Sequence, residues 1–261
     1  MAKTTYTPTR TFNLYGGSIT IDFYEKYGRY SHVYIRRDNG EWLKSVTGAT
    51  GMIDKPLLIP WACKEMGKAL VDVLSSGGVV GEPEINQAKN AWRTKRDKSA
   101  EKGSIIHDLV SEYIKYKLGE RKTIPAIPKD PEIKNAYLAF RDWEKEHNVK
   151  FIATEKLVYS KKYNFVGTLD CIAEVDGEYC LIDFKSGNGI YWDFILQVGG
   201  YGLAHEEEFE KKFDRNWIVR FGKENAEFAV KSFKSDPRIT KGYLSCLYLK
   251  NIQKEMEALV Q

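Results

Sequence analysis

The stretch Cys180–Gly187, CLIDFKSG, sets an aspartate and a lysine, Asp183 and Lys185, two residues apart in an otherwise apolar run. Alternate side chains of a strand share a face, so these two stand side by side just before a glycine. Upstream, Asp176-Gly177 separates two alternating apolar runs, the strongest short-range signal for a two-residue type I′ hairpin. With that pair as the loop, Val175 faces Glu178, Ile172 faces Leu181 and Asp170 faces Asp183, which brings two carboxylates to about 5 Å across the ladder. Like charges directly opposite are unfavourable, so a positive charge must offset them. Lys185 supplies one, and a divalent cation supplies more; Mg²⁺ typically takes one or two carboxylates together with water and substrate phosphate. A plain edge-strand ion pair between Asp183 and Lys185 meets the same spacing, and the two residues alone do not separate these readings.

The elements that must hold these groups follow from periodicity. TFNLYGG, SITIDFYE and SHVYIRR read as short strands of an antiparallel sheet, and DNGEWLKSV as a turn and strand. A helix is expected from Pro60 to Leu74, ending at the glycine pair Gly77-Gly78. EPEINQAKNAWRTKRDKSAEKG is polar, basic and helical in character. Ser104–Leu118 then repeats Ile106, Leu109, Val110 and Tyr113 at helical spacing, with His107 at the stripe's edge. Asp130 is placed to cap a helix with Pro131 in its first turn and Ile133, Ala136, Phe140 and Trp143 on its buried face. Three strands, a helix over about 191–208, two further strands and a long C-terminal helix complete an α/β chain without internal repeats.

Composition limits the function classes. With 261 residues, 43% hydrophobic and 13% aromatic, the chain can bury a large core, whereas 40 basic against 36 acidic residues give only +4. A nucleic-acid site must therefore be a local patch. Lys89, Arg93, Lys95, Arg96, Lys98 and Lys102, with Trp92 among them, form the densest basic run, which serves equally as a solvated face or as a contact for phosphates and a base. No run approaches the roughly 18 apolar residues of a membrane span, and the opening MAKTTYTPTR has no apolar leader, so an intracellular protein is expected, in the cytoplasm or in a host cytoplasm if viral. Cys63, Cys171, Cys180 and Cys246 are scattered, without a CxxC pair, and read as reduced core thiols.

Taken in order, Gly167-x-x-Asp170, Asp183-x-Lys185 with Ser186-Gly187, and Gln197-x-x-x-Tyr201 resemble the PD-(D/E)xK nuclease superfamily in its RecB-like exonuclease branch. GSIIHDLVSEY is similar to that branch's histidine helix, Glu155 matches the acidic residue before the paired aspartates, and SVTGATGMIDKPLLIPWACKEMG resembles the early segment of phage and mitochondrial genome-maintenance exonucleases. The resemblance implies a mixed central sheet flanked by helices, a restriction-endonuclease-like core over 101–261, and an N-terminal β/helical elaboration over 1–100 that binds substrate. It implies hydrolysis of DNA phosphodiesters from single-stranded or duplex ends with one or two Mg²⁺ or Mn²⁺ ions, in replication, repair or recombination. Asp170, Asp183, the Phe184 carbonyl and His107 would hold metal, with Glu155 and Lys185 joining the aspartates in catalysis. Gln197, Tyr201, Trp92, Arg93 and Arg96 would contact DNA. Only Cys246 follows the hairpin, so no iron–sulfur cluster is expected. A restriction-type or structure-specific endonuclease and a non-catalytic DNA-binding module are the alternatives, and no seam for oligomerisation is visible.

Overall fold

The computed structural model describes residues 6–260. Residues 1–5, part of the opening stretch read above for a leader, lie outside the described residues. The chain divides into two compact units, one of residues 1–53 with 109–261 and the other of residues 54–108. The division differs from the expected boundary near residue 100, because the N-terminal strands cluster with the larger sheet.

In the larger unit, β1 (Arg10–Leu14), β2 (Ile19–Tyr27) and β3 (Tyr30–Arg36) form a three-stranded antiparallel sheet. Its Leu14, Ile19, Ile21 and neighbouring Leu43 pack on Leu157, Tyr159 and Val166 of the second sheet. That sheet runs β4 (Lys44–Ser45), β6 (Phe165–Val175), β7 (Glu178–Lys185), β8 (Arg215–Phe221), β9 (Phe228–Phe233), with β5 (Val149–Ser160) on the other edge of β6. β4 and β7 are parallel to their neighbours β6 and β8, and the remaining pairs are antiparallel, so the sheet is mixed. The β6–β7 turn is the expected one: Asp176 and Gly177 have φ of 52° and 87°, and Val175 pairs with Glu178.

Helices cover this sheet. α1 (Val46–Thr50) follows β4 and is capped by Ser45, whose hydroxyl accepts from the Gly48 N–H. α5 (Pro131–Glu146) is capped by Asp130, which accepts from Glu132 and Ile133 N–H, and its Ile133, Ala136, Phe140 and Trp143 are buried as expected. α6 (Trp192–Phe209) packs on β5, β6, β7 and β8, and α7 (Pro237–Ala258) packs on α6. Glycines permit the second contact. A Cβ on Gly200 would lie 2.7 Å from the Tyr243 ring, and one on Gly199 2.5 Å from Ile239.

The smaller unit holds α2 (Leu58–Ser75), α3 (Glu82–Ala88) and the start of α4 (Ala91–Lys117). α4 is one helix of 27 residues, joining the basic run to the histidine segment that the sequence suggested as two pieces. Lys95 pairs with Glu65 of α2 at 2.9 Å. Cys63 corrects one expectation: it is exposed on α2, while Cys171, Cys180 and Cys246 are buried, and all four are free. The polar first half of α4 and the exposed face of α2 leave that unit little apolar interior in which to bury a thiol. Among the described residues no helix is long and apolar enough to cross a membrane.

Candidate active site

Two facts of the sheet create a gap in it. β7 follows the expected register on β6 as far as Cys171 opposite Ile182, and β4 meets the same edge of β6 only at Phe165 and Val166. Gly167–Asp170 lie between these partners, so the sheet is split there. The ladder thus stops one pair before the aspartates. Instead of standing square to Asp183, Asp170 turns its Oδ2 to accept the Phe184 N–H at 2.7 Å, while Thr154 of β5 donates its hydroxyl to the Asp170 carbonyl at 2.9 Å. This removes the head-on repulsion and gives one carboxylate a backbone donor.

Alternation along β7 sends its side chains to different layers. Phe184 packs among Phe140 and Trp143 of α5 and Phe221 of β8, at ring separations of 5.3–6.0 Å. Leu181 packs with Val198, Tyr201 and Ala204 of α6. Asp183 and Lys185 share the α6 side: the ammonium lies 2.6 Å from Asp183 Oδ2 and 4.8 Å from the centre of the Phe194 ring. The Asp183 side chain is 2% exposed and that of Lys185 16%. A buried carboxylate is costly without a compensating charge, and Lys185 places one beside Asp183.

Gln197 and Tyr201 come to the same spot. Gln197 Nε2 donates to the Tyr201 hydroxyl at 2.9 Å, and both side chains are buried. The Tyr201 phenol is pushed well above its ordinary pKa, first by burial and then by the negative charges of Asp183 and Asp170, so it stays protonated beside both carboxylates. Gly167 is what admits it. A Cβ there would sit 2.5 Å from Tyr201 Cε1 and 2.7 Å from Val46 Cγ2. The glycine of the Gly-x-x-Asp motif and the tyrosine of the Gln-x-x-x-Tyr motif are therefore one contact, 34 residues apart in sequence.

Glu155 occupies the β5 position between Thr154, which pairs with Cys171, and Lys156, which pairs with Leu169; it is therefore level with Asp170. Its φ is 50°, a left-handed conformation that costs about 1–3 kcal/mol for a non-glycine residue. Its charge also contributes, after burial, to raising the Tyr34 phenol, whose oxygen lies 3.4 Å from Thr168 Oγ1. His107 is half-buried on α4 within the smaller unit. Trp92, half-buried, and the exposed Arg93 and Arg96 lie on α4 in the same unit, where both guanidiniums lie over the Trp92 ring at 5.4 and 5.2 Å and Trp61 meets it edge-on.

Among the described residues no group of three or more His, Cys, Asp or Glu side chains is gathered to hold a metal. Two carboxylates at a split in a sheet, with the Phe184 carbonyl directly after Asp183 in sequence, suit a hard cation that keeps water and phosphate in its shell. The sequence missed Tyr34, Thr154 and Phe194. Only Phe194 carried a signal, since it lies one helical turn before Gln197 on the face that bears Tyr201.

No protein-family model matches the chain. No curated protein sequence matches it either. Solved structures do align with it: an alkaline exonuclease from Laribacter hongkongensis in complex with dAMP (14% identity, 58% of this chain and 82% of that one, TM-score 0.36) and a phage-related exonuclease from Haemophilus somnus (14% identity, 57% and 83%, TM-score 0.32).

Proposed function

We propose that the chain is a divalent-metal-dependent DNA exonuclease whose reacting groups meet at the split beside β6. The observation that supports this reading best is the Asp170 carboxylate held on the Phe184 N–H, next to the buried Asp183–Lys185 pair. A structural ion pair needs no second carboxylate drawn to the backbone beside it.

Asp170, Asp183 and the Phe184 carbonyl would hold Mg²⁺ or Mn²⁺, which when bound supplies charge against the phosphate and acidifies water. Lys185 orients the attacking water and donates to the phosphate oxygens, offsetting their negative charge, a role suited to a compact ammonium with three donors. Tyr201, kept protonated, offers a donor to the carboxylates or to the DNA backbone, and Gln197 fixes its direction. Glu155, level with Asp170, serves as a further acidic group. Arg93 and Arg96, with Trp92, contribute phosphate contacts in the smaller unit, as does His107 a metal-ligand side chain.

The test is digestion of matched linear and covalently closed DNA, single- and double-stranded, with Mg²⁺, Mn²⁺ or chelator, beside Asp183→Asn. Metal-dependent loss of the linear forms alone, abolished in the variant, is the expected result. Cutting of closed circles would favour an endonuclease, and DNA binding with no cutting under any metal would leave a binding module.

A further inference from the structure

The hairpin of β2 and β3 carries an aromatic cluster that begins at Tyr34 beside the candidate site and continues to an end that the site does not use. Across its ladder Phe23 pairs with Tyr34 and Tyr27 with Tyr30. Tyr34, whose hydroxyl reaches Thr168, lies at the end nearest Asp170, and its ring is 4.9 Å from that of Phe23. Four residues on, a distance of about 13 Å along a strand, the Tyr27–Tyr30 pair ends the hairpin. Trp42 meets both of those rings edge-on at 5.3 Å. Tyr30 and Trp42 nevertheless remain 46% and 44% exposed.

Cations surround this end. Arg29, at the turn, lies over the Tyr30 ring at 5.1 Å and donates to its hydroxyl at 2.9 Å. Lys26 is exposed on the same hairpin. Lys254 of α7 is exposed too, and its charge, after the larger effect of Arg29, lowers the Tyr30 phenol. By contrast Arg36 and Arg37, nearer the sheet's core, are bound to Asp38 and Asp22. Among the described residues no carboxylate pairs with Arg29, Lys26 or Lys254, and exposed aromatic faces flanked by such cations match the chemistry of an unpaired nucleic-acid strand, whose bases stack and whose phosphates need positive charge. A protein partner would call for apolar area without that ring of positive charge.

We propose that the β2–β3 hairpin is a stacking platform for single-stranded DNA leading to or from the Asp170–Asp183 site, with bases on Tyr30 and Trp42 and phosphates on Arg29, Lys26 and Lys254. This rests on the nuclease reading for the identity of the strand, though not for the platform's chemistry.

Binding of a fluorescently labelled oligothymidylate is measured in chelator, so that nothing is cut, over a range of salt. Tyr30→Ala with Trp42→Ala weakens binding about tenfold or more, the loss of stacking for one to two bases. Tyr30→Phe with Trp42→Phe keeps the rings and binds within about threefold of wild type. Arg29→Glu, on an exposed turn that tolerates substitution, weakens binding and reduces the salt slope by about one or more. Metal-dependent hydrolysis of the p-nitrophenyl ester of thymidine monophosphate, too small to span from site to hairpin, is unchanged in all three. Wild-type binding by the alanine and Arg29 variants would overturn the platform while leaving the nuclease reading intact, as would equal losses for alanine and phenylalanine. Failure of the wild type to hydrolyse either substrate, with the binding losses as stated, would overturn the nuclease reading and keep the platform.

Discussion

Gly167→Ala perturbs the site through a single methyl group. The new Cβ would stand 2.5 Å from Tyr201 Cε1 and 2.7 Å from Val46 Cγ2, against an ordinary carbon–carbon contact of about 3.5–4.0 Å. Something must yield by about 1 Å, and neither neighbour can move freely. Tyr201 is held by Gln197 and by its packing on Val198 and Leu181, and Val46 opens the short helix α1. Overpacking of this kind costs about 1–3 kcal/mol. For a chain of this size that lowers the melting temperature by about 2–12 °C. The assay is thermal unfolding of Gly167→Ala, Tyr201→Leu and the double variant. Removal of the ring edge relieves the nearest contact and leaves that with Val46, so the loss from the alanine shrinks without vanishing and the double-mutant cycle returns a coupling of about 1 kcal/mol. An unchanged melting temperature for Gly167→Ala, or the same loss with and without the ring, would refute the claim that the glycine exists to admit Tyr201.

Two further predictions concern titration and reactivity. His205 is buried against Phe209 and Phe213, with Nδ1 at 3.1 Å from the Lys211 carbonyl, and burial lowers its pKa to about 4. Its folded pKa lies below the unfolded value, so the unfolded state takes up the proton first, and stability is full above pH about 6.5 and declines towards pH about 4. The loss from this group is on the order of 3 kcal/mol. A histidine resonance titrating near pH 4, with a melting temperature falling over that window, is expected; titration near 6.5 would contradict the buried assignment. Maleimide should label Cys63 rapidly in the native protein and the buried Cys171 only on unfolding, since burial pushes the Cys171 thiol well up. Mass spectrometry that finds Cys171 modified first would overturn the packing of β6.

How far the sequence foretold this arrangement depended on whether a signal was local. The β6–β7 turn was legible because Asp176-Gly177 accepts two left-handed residues in succession, and the cap of α5 because Asp130-Pro131 is a start signal in itself. Asp183 and Lys185 were paired correctly from strand alternation alone. Register arithmetic was right up to Cys171 and then insufficient, because repulsion and the Phe184 N–H decide where Asp170 points. The meeting of Gly167 with Tyr201 was invisible, as it depends on how α6 crosses the sheet. So was the exposure of Cys63, which depends on which face of α2 is covered.

Titration of Mn²⁺ into wild type, Asp183→Asn and Lys185→Met by calorimetry, with DNA hydrolysis measured on the same samples, tests the central claim most directly. Lys185 Nζ lies 2.6 Å from Asp183 Oδ2, so it would compete with a cation for that carboxylate. If the split beside β6 is the reacting centre, Asp183→Asn loses metal binding and hydrolysis together, whereas Lys185→Met binds Mn²⁺ more tightly, with its rival cation gone, and still loses hydrolysis. Equal Mn²⁺ binding by all three proteins, or hydrolysis that survives in Lys185→Met, would contradict it.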